Sequence, residues 1–357
     1  MDKVVQYVQC DTLRKINMQR LKYRGQSNIL NGIVNKANEK LGGLNFQLKL
    51  NSATNGIHID LGFNKDIVRN GRRLYVGMDV SHPPPMKAVD RRRNIVREEF
   101  SVLALTANTT SHQLQFTGDI RYWHEGTEVA ETEIARTKLK ELFQELLMEY
   151  WRAESALPQE VFVFRDGVDA GKYQRVIEYE ITAMKAACPP GVKFVVINVS
   201  KTDNRFFDIE KLARLSQQSG GRQQNANPSP GLYIMSGTHP SHQEFHLQPH
   251  QANQGTAVQH TYTVLANELA LDTPYIAALC NVLCYAHTII TAPISVPAPV
   301  ALADQLSKRG RQLLNEYKAL RSSKPPGSMP PITAEELNER LTYGKTKLMK
   351  ENRKFFA

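Results

Sequence analysis

Two aspartates follow hydrophobic segments at points where a buried strand would give way to a turn. Asp79 lies near the end of LYVGMDV, and Asp166 ends VFVFRD just before a glycine. In α/β sheets, side chains at the carboxyl ends of strands point into the crevice where ligands bind. Two such acids on adjacent strands can share Mg²⁺, which prefers a few carboxylates and keeps its other sites for water and phosphate. Two cations about 4 Å apart can then promote hydrolysis of a phosphodiester.

Each aspartate also has a simpler explanation. A lone Asp after a strand is more often a turn former or a helix cap. The same arrangement occurs twice here, on hydrophobic strands in an order that suits one sheet, and this repetition favours a shared cation site.

Lys36 and Lys40 form a second candidate cluster. Their i,i+4 spacing on one helix lets both ammonium groups reach a single anion. A solvated helix face explains the same spacing, and the spacing alone favours that explanation.

Hydrophobic periodicity indicates the elements that must position these groups. In the first fifty residues it predicts strand, helix and strand, at 4–10, 27–40 and 45–50. Residues 51–73 are polar and rich in Gly and Asn, as connectors are. An antiparallel meander follows, with predicted strands at 74–80, 100–107 and 114–122.

The rest of the chain alternates between helices and strands. Helices are predicted at 131–153 and 172–187, and strands at 161–165 and 193–199, which implies parallel neighbours in an α/β sheet. Beyond a loop at 214–231, strands are predicted at 244–250 and 261–266, and helices at 274–287, 299–320 and 334–348. This order is that of a ribonuclease-H-like fold, although other α/β folds share it.

Composition narrows the class of protein. The chain has 357 residues, enough for about two domains, and 41% of them are hydrophobic, which allows a sizeable core. It has neither an apolar run of the ~20 residues that cross a bilayer nor a signal peptide at its start. The four cysteines show no metal-ligand spacing, and we expect them to be buried apolar residues in a reducing compartment. We therefore expect a soluble protein of the cytoplasm, with the nucleus as a second location, and no membrane partner.

Positive charge is concentrated in one part of the sequence. The formal net charge is +10, and residues 305–357 contain twelve Lys and Arg against five Glu. Basic segments attract phosphate backbones, although ordinary surface solvation would also explain a modest excess. The uneven distribution favours a nucleic-acid partner.

Four segments resemble the motifs of Argonaute proteins, in the order of that family. They are GMDVSHP at 77–83, FRDGVDAGKYQRVIEYE at 164–180, THPSHQEFHLQPHQANQGTAVQHTYTVL at 238–265 and LCYAHTIITAPISVPAPVALADQL at 283–306. These four segments are most similar to those of eukaryotic Argonautes, including the nematode branch. The resemblance implies a ribonuclease-H-like PIWI domain at 74–357, with a mixed sheet flanked by helices, after the C-terminal part of an α/β MID domain at 1–50 and a connector at 51–73.

The resemblance also implies a catalytic set of four residues. The family uses Asp, Glu, Asp, and His or Asp, and the matching positions here are Asp79, Glu128, Asp166 and Asp304. The glutamate has alternatives in the same stretch, Glu125, Glu131 and Glu133, of which the last two also suit the first turn of a helix. The family chemistry implies Mg²⁺ or Mn²⁺ held by Asp79, Asp166 and Asp304.

Further positions match the family's contacts to a guide RNA. Those matching ligands of the guide 5′-phosphate are Gln9, Lys36, Lys40 and Arg309, and those matching contacts along the guide are Lys201, Arg205, His250 and Gln254. His250 is equally well explained as a structural histidine.

The resemblance therefore implies a small-RNA-guided silencing factor, with a guide RNA, a complementary target RNA and silencing proteins as partners. With the catalytic set complete, we expect an endonuclease that acts in RNA interference. The alternatives are a catalytically inactive Argonaute that recruits partners, and an unrelated ribonuclease-H-like nuclease such as a transposase.

Overall fold

A computed structural model describes most of the chain. The described residues are 8–22, 27–46, 72–83, 99–110, 112, 115–124, 129–216, 226–236, 241–252, 255–323 and 330–344.

Eight strands form a single mixed sheet in this part of the chain. They are β1 Arg73–Ser81, β2 Phe100–Ala107, β3 Thr117–His124, β4 Glu160–Asp166, β5 Lys193–Asn204, β6 Leu232–Ser236, β7 Gln243–Gln248 and β8 Gln259–Asn267. Their spatial order is β3-β2-β1-β4-β5-β8-β7-β6. The pairs β1–β4 and β4–β5 are parallel, and the other neighbours are antiparallel. The meander and the parallel α/β centre are as the sequence predicted.

Helices lie before the sheet in sequence and on both of its faces. They are α1 Cys10–Lys22, α2 Asn28–Lys40, α3 Glu133–Glu154, α4 made of the consecutive turns Tyr173–Arg175, Val176–Ile181 and Thr182–Lys185, α5 Ile209–Ser216, α6 Thr273–Cys284, α7 Ala298–Ser322 and α8 Ala334–Arg340. The turn Val176–Ile181 is π-helical. Among the helices of the described residues, none is long and apolar enough to span a bilayer.

Two hydrophobic cores fill the space between the sheet and these helices. On one face, strand residues such as Tyr75 and Phe164 pack with apolar residues of α6, α7 and α8. On the other, residues such as Leu74 and Val163 pack with α3 and α4. Because successive strand residues point to opposite faces, a strand buried on both sides reads as one continuous hydrophobic run, which is why these strands were recognisable.

Several sequence predictions need correction. Cys10 begins helix α1, where the sequence suggested the end of a strand at 4–10; Asp11 in the first turn and Arg20 and Lys22 in the last suit the helix dipole. Residues 45–46 are not in a strand, and residues 4–7 and 47–50 lie outside the described residues. Strand β6 was not predicted, and the last helix ends at Arg340 instead of continuing to 348. Cys10 is exposed, unlike Cys280 and Cys284, which are buried as expected.

Helix α7 packs against β1 with almost no space between them. A Cβ atom on Gly77 would lie within 2.8 Å of Val300 N and closer still to the Pro299 carbonyl. The same carbonyl accepts a hydrogen bond from Thr106 Oγ1, at 2.8 Å, on the neighbouring strand. Glycine at position 77 therefore allows the first turn of α7 to rest directly on the sheet.

We predict that Gly77→Ala destabilises the fold by about 1–3 kcal/mol or more, because the added methyl group overpacks a contact made by backbone atoms. Gly171→Ala is the matched control, since nothing lies within 4 Å of its Cβ position; its effect should stay within about 0.5 kcal/mol. Urea unfolding of the two variants measures both values. Equal stabilities would show that α7 does not depend on this close approach.

Candidate functional site

Three aspartates converge at the carboxyl edge of the sheet. Asp79 comes from β1, Asp166 ends the adjacent parallel strand β4, and Asp304 lies in the second turn of α7. One carboxylate oxygen from each lies within 4.8 Å of the other two. The sequence predicted that Asp79 and Asp166 would be neighbours, and the packing of α7 on β1 adds Asp304 to the pair.

The clustering is electrostatically costly. Asp166 is buried, and that burial raises its pKa to about 6, with a further contribution from the negative charges of Asp79 and Asp304. The ammonium of Lys201 opposes this shift. Carboxylates forced together in this way are stabilised by a bound cation.

The donor set fits a hard divalent cation. Carboxylate oxygens are the ligands that Mg²⁺ and Mn²⁺ prefer, and three of them close together leave coordination positions for water and phosphate. Asp79, Asp166 and Asp304 are therefore the residues that could hold such an ion.

Cationic and hydroxyl side chains already bind these oxygens. Lys201 Nζ lies 2.5 Å from Asp166 Oδ2 and 3.5 Å from Asp304 Oδ1. Lys308 Nζ lies 2.8 Å from Asp304 Oδ2, and Ser307 Oγ donates a hydrogen bond to Asp79 Oδ2. Although burial lowers the pKa of Lys201, the three carboxylates raise it more, and the net shift is upward.

Lys201 was expected to contact the guide, and the structure places its ammonium within the carboxylate cluster. Ser307 and Lys308 were not predicted. The sequence could have indicated both residues, because positions three and four after Asp304 lie on the same face of the helix as Asp304.

The end of β4 is fixed by buried polar groups that the sequence analysis also missed. Arg165 Nε donates to Glu180 Oε2 at 3.1 Å, and its Nη1 donates to the carbonyl of Asp166 at 2.8 Å. Asn198 on β5 bonds both backbone groups of Val168, at 2.9 and 3.2 Å. These bonds hold the turn that aims the Asp166 side chain.

Four glutamates were candidates for the fourth carboxylate, and the structure describes two of them. Glu125 and Glu128 lie outside the described residues. Glu131 accepts a hydrogen bond from Arg175 Nη1 at 3.0 Å, and Glu133 is in the first turn of α3, which Thr132 caps. Glu133 therefore has the first-turn role that the sequence suggested for it, whereas Glu131 lies before the cap and pairs with Arg175 instead.

Three basic residues meet at a second place, between α2 and α7. Lys40 is half-buried, and its pKa is lowered first by burial and then by the positive charges of Lys36 and Arg309. Arg309 also hydrogen-bonds the Tyr343 side chain, whose pKa is raised by burial. We call Lys36, Lys40, Arg309 and Tyr343 the anion pocket, because converging positive charge favours an anionic ligand.

Amide side chains dock α2 against the sheet-bearing part of the chain. Asn35 Nδ2 donates to the Ile289 carbonyl at 3.1 Å, and Asn45 Nδ2 donates to the Thr288 carbonyl at 2.8 Å. Gln115 Nε2 donates to the Gly42 carbonyl at 2.8 Å. These bonds bring Lys36 and Lys40 to Arg309, although the residues are far apart in sequence.

Asp119 on β3 holds the backbone of Tyr343 in place. The Asp119 carboxylate accepts hydrogen bonds from the backbone amides of Tyr343 and Gly344, at 2.8 and 2.7 Å. This contact joins residues more than two hundred positions apart, and nothing in the local sequence indicated it.

The remaining predicted guide contacts are more dispersed. Gln9 is exposed at the start of α1, where its carbonyl accepts from the Thr12 amide at 2.9 Å. Arg205 is exposed just after β5. His250 is half-buried, which lowers its pKa, and Gln254 lies outside the described residues. The structure therefore brings together Lys36, Lys40 and Arg309 but leaves these other assignments as predictions.

Known proteins resemble the chain over most of its length. The family model described as the Piwi domain matches residues 2–315. Argonaute protein wago-4 of Caenorhabditis elegans is 28% identical over 83% of this chain and 30% of its own length. Argonaute protein wago-1 of the same nematode is 26% identical over 82% of this chain and 28% of its own length.

A solved structure shares the fold. The crystal structure of Kluyveromyces polysporus Argonaute with a guide RNA superposes with a TM-score of 0.68 at 23% identity, covering 91% of this chain and 34% of that one. This likeness confirms the expected mixed sheet flanked by helices. The chain spans less than a third of the length of the two nematode relatives.

We predict that millimolar Mg²⁺ or Mn²⁺ raises the melting temperature at pH 7.5 by about 3–8 °C, because ligand binding to the folded state stabilises it. Asp166→Asn should abolish the shift, and Asp11→Asn, on exposed helix α1, should keep it. Thermal unfolding with and without the metal measures each case.

The same shift should depend on pH. Metal ligands must be deprotonated, and the pKa of Asp166 is about 6. Lowering the pH through 6 adds a proton that competes with the metal, so the stabilisation should be full above pH 7 and nearly lost at pH 5. A shift that stays constant from pH 7.5 to 5 would place the metal elsewhere.

Proposed function

The chain belongs to the Piwi domain family, and from that premise we propose that the protein containing it binds a guide RNA and cleaves RNA paired to the guide. The observation that carries the proposal is the convergence of Asp79, Asp166 and Asp304. Guide binding is supported by the family and by the anion pocket. The nematode relatives are named as Argonautes, and the superposed yeast protein is described with a guide RNA.

Base pairing would supply the sequence specificity. A protein of this kind recognises the phosphate backbone and the A-form shape of a duplex, while the guide reads the target. The protein therefore needs positive charge along the duplex and an anchor for one end of the guide. The anion pocket provides such an anchor, because Lys36 and Arg309 lie close enough for their positive charges to help lower the pKa of Lys40.

We assign the anion pocket to the 5′-phosphate of the guide. A terminal phosphate carries more negative charge than an internal one, since its second pKa is about 6. Two ammonium groups and a guanidinium in one place match that charge. Gln9, which precedes α1, is a further candidate ligand.

We assign cleavage to the carboxylate cluster. Asp79, Asp166 and Asp304 would hold Mg²⁺ or Mn²⁺, which would supply an activated water and stabilisation of the leaving oxygen. Arg165 and Asn198 keep the end of β4 in place, so that Asp166 is preorganised for its ligand. Ser307 orients the Asp79 carboxylate through its hydrogen bond.

Glu128 is our choice for the fourth carboxylate. It would enter the site from the segment between β3 and α3, whose described neighbours begin at Val129. The backbone amide of Ala130 donates to Glu180 Oε1 at 3.2 Å, which fixes the chain three residues before α3 begins.

We predict that Lys36→Ala, Lys40→Ala and Arg309→Ala each weaken binding of 5′-phosphorylated RNA by about tenfold more than binding of 5′-hydroxyl RNA, the effect of one lost charge-assisted contact. Each change should also reduce the salt dependence of binding by about 0.7 units of slope. Lys15→Ala, on the exposed part of α1, is the control for net charge alone. Equal losses for both RNAs would mean that these residues contact the backbone generally.

We predict that the full-length protein, loaded with a guide and given Mg²⁺, cuts a fully paired target once and leaves a 3′-hydroxyl and a 5′-phosphate. Asp79→Asn, Asp166→Asn or Asp304→Asn should slow cleavage by at least about 10²–10³-fold, the scale of losing one electrostatic stabiliser of the transition state. Guide affinity should change little. Asp304→His should retain cleavage, because imidazole also binds divalent metals.

Single-turnover cleavage of a labelled target measures these rates. Glu128→Gln should abolish the cut; if Glu125→Gln does so instead, the assignment of the fourth carboxylate is wrong and the other three remain. An unmutated protein that binds guide and target tightly but never cuts in Mg²⁺ or Mn²⁺ would act by recruiting partners.

A further inference from the structure

We propose that Lys201 is a built-in counter-ion of the carboxylate cluster, which a divalent cation must displace and which therefore sets the metal affinity of the site before RNA binds. This inference rests on the proposed metal site and assigns the regulation of its loading. It differs from the role that resemblance suggested for Lys201, a contact along the guide.

The position of Lys201 follows from strand register. Asp166, the last residue of β4, pairs with Val199 on β5, and β5 continues to Asn204. Paired residues on adjacent strands point to the same face, and so do residues two apart on one strand. Lys201 therefore emerges on the face of Asp166, one step beyond the edge where β4 ends.

The ammonium bridges two of the three acids. Its nitrogen lies 2.5 Å from Asp166 Oδ2 and 3.5 Å from Asp304 Oδ1. Asp166 and Asp304 are two of the three residues whose carboxylates would bind the cation. An ammonium and a divalent cation that share the same carboxylates repel each other, so the two compete for the site.

Lys308 makes a different kind of contact. Among the described residues its ion pair is with Asp304, through the i,i+4 spacing of α7, and its side chain is 69% exposed, against 36% for Lys201. Exposed pairs of this type contribute little energy, because water screens both charges. Lys201 is more shielded and bridges two carboxylates, so its competition with a metal is stronger.

A displaced Lys201 stays near the site. Its four-carbon stem is flexible, and the ammonium remains charged and within reach of phosphate oxygens placed over the carboxylates. RNA phosphate would thus stabilise the displaced form, and metal and RNA would each favour the binding of the other. The guide-free protein would therefore bind the metal more weakly than the RNA-bound protein does.

The test is the affinity of the full-length, guide-free protein for Mn²⁺, measured by the electron paramagnetic resonance signal of the free ion. Binding that disappears in Asp166→Asn defines the site. Lys201→Met should bind Mn²⁺ at that site about tenfold more tightly than the unmutated protein, or better. Lys308→Met is the matched control and should change the affinity by less than about threefold.

Charge and structure are separated by two further variants. Lys201→Arg keeps the positive charge and should stay within about threefold of the unmutated protein, whereas Lys201→Gln should resemble Lys201→Met. Without metal, Lys201→Met should melt at a lower temperature than the unmutated protein, and saturating Mn²⁺ should remove the difference. If Lys201→Met does not fold without metal but folds in Mn²⁺, the counter-ion role is supported directly.

The outcomes distinguish this proposal from the proposed function. Equal or weaker Mn²⁺ binding by both Lys201→Met and Lys201→Gln, with Asp166-dependent binding in the unmutated protein, would overturn the counter-ion role and leave the metal site intact. No Asp166-dependent binding in any variant would overturn both. Binding that appears only when Lys201 is replaced would support the proposal in its strongest form.

Discussion

The close packing of α7 on β1 is the constraint on which the candidate site depends. Gly77 lets the first turn of the helix rest on the strand, and the Pro299 carbonyl is tied to Thr106 on β2. Further along the helix, the Arg311 guanidinium donates to the carbonyls of Ser81 and Phe100, at 2.6 and 2.7 Å, and so joins α7 to the ends of β1 and β2.

Helix α7 thereby contributes one residue to the carboxylate cluster and another to the anion pocket. Asp304 reaches the carboxylate cluster, and Arg309, more than one turn later, reaches the anion pocket next to Lys40. The two groups are held at a fixed distance by a rigid element, which suits a protein that anchors a nucleic acid at one point and reacts with it at another. Rigid elements position functional groups more accurately than loops do.

The carboxylate cluster supplies candidate metal ligands, but the repulsion between its members destabilises the fold. Three carboxylates within 4.8 Å repel one another, and burial raises the pKa of Asp166 to about 6. The fold balances this with Lys201, whose ammonium opposes the rise in the pKa of Asp166. The buried Arg165–Glu180 pair holds the end of β4 in place. Breaking such a buried pair is costly, because one charge is left without its partner, so the end of β4 is held firmly.

Much of this architecture could be predicted from the sequence, because buried strands have a clear hydrophobic pattern. An Asp at the end of such a strand is easily seen against that pattern. Asp79 and Asp166 were placed on neighbouring strands by that reasoning, whereas Asp304 came from the resemblance. Lys201 could not be placed, since the register of β5 against β4 is set by tertiary packing. The same holds for Tyr343, which Asp119 holds from a distant strand.

The central claim is that Asp79, Asp166 and Asp304 form a divalent-cation site. Diffraction from crystals soaked in Mn²⁺, recorded for its anomalous signal, tests this most directly. We expect an anomalous peak bounded by the three carboxylates, with the Lys201 ammonium moved away from Asp166. Crystals with no peak there at saturating Mn²⁺, and with Lys201 still bridging Asp166 and Asp304, would contradict it.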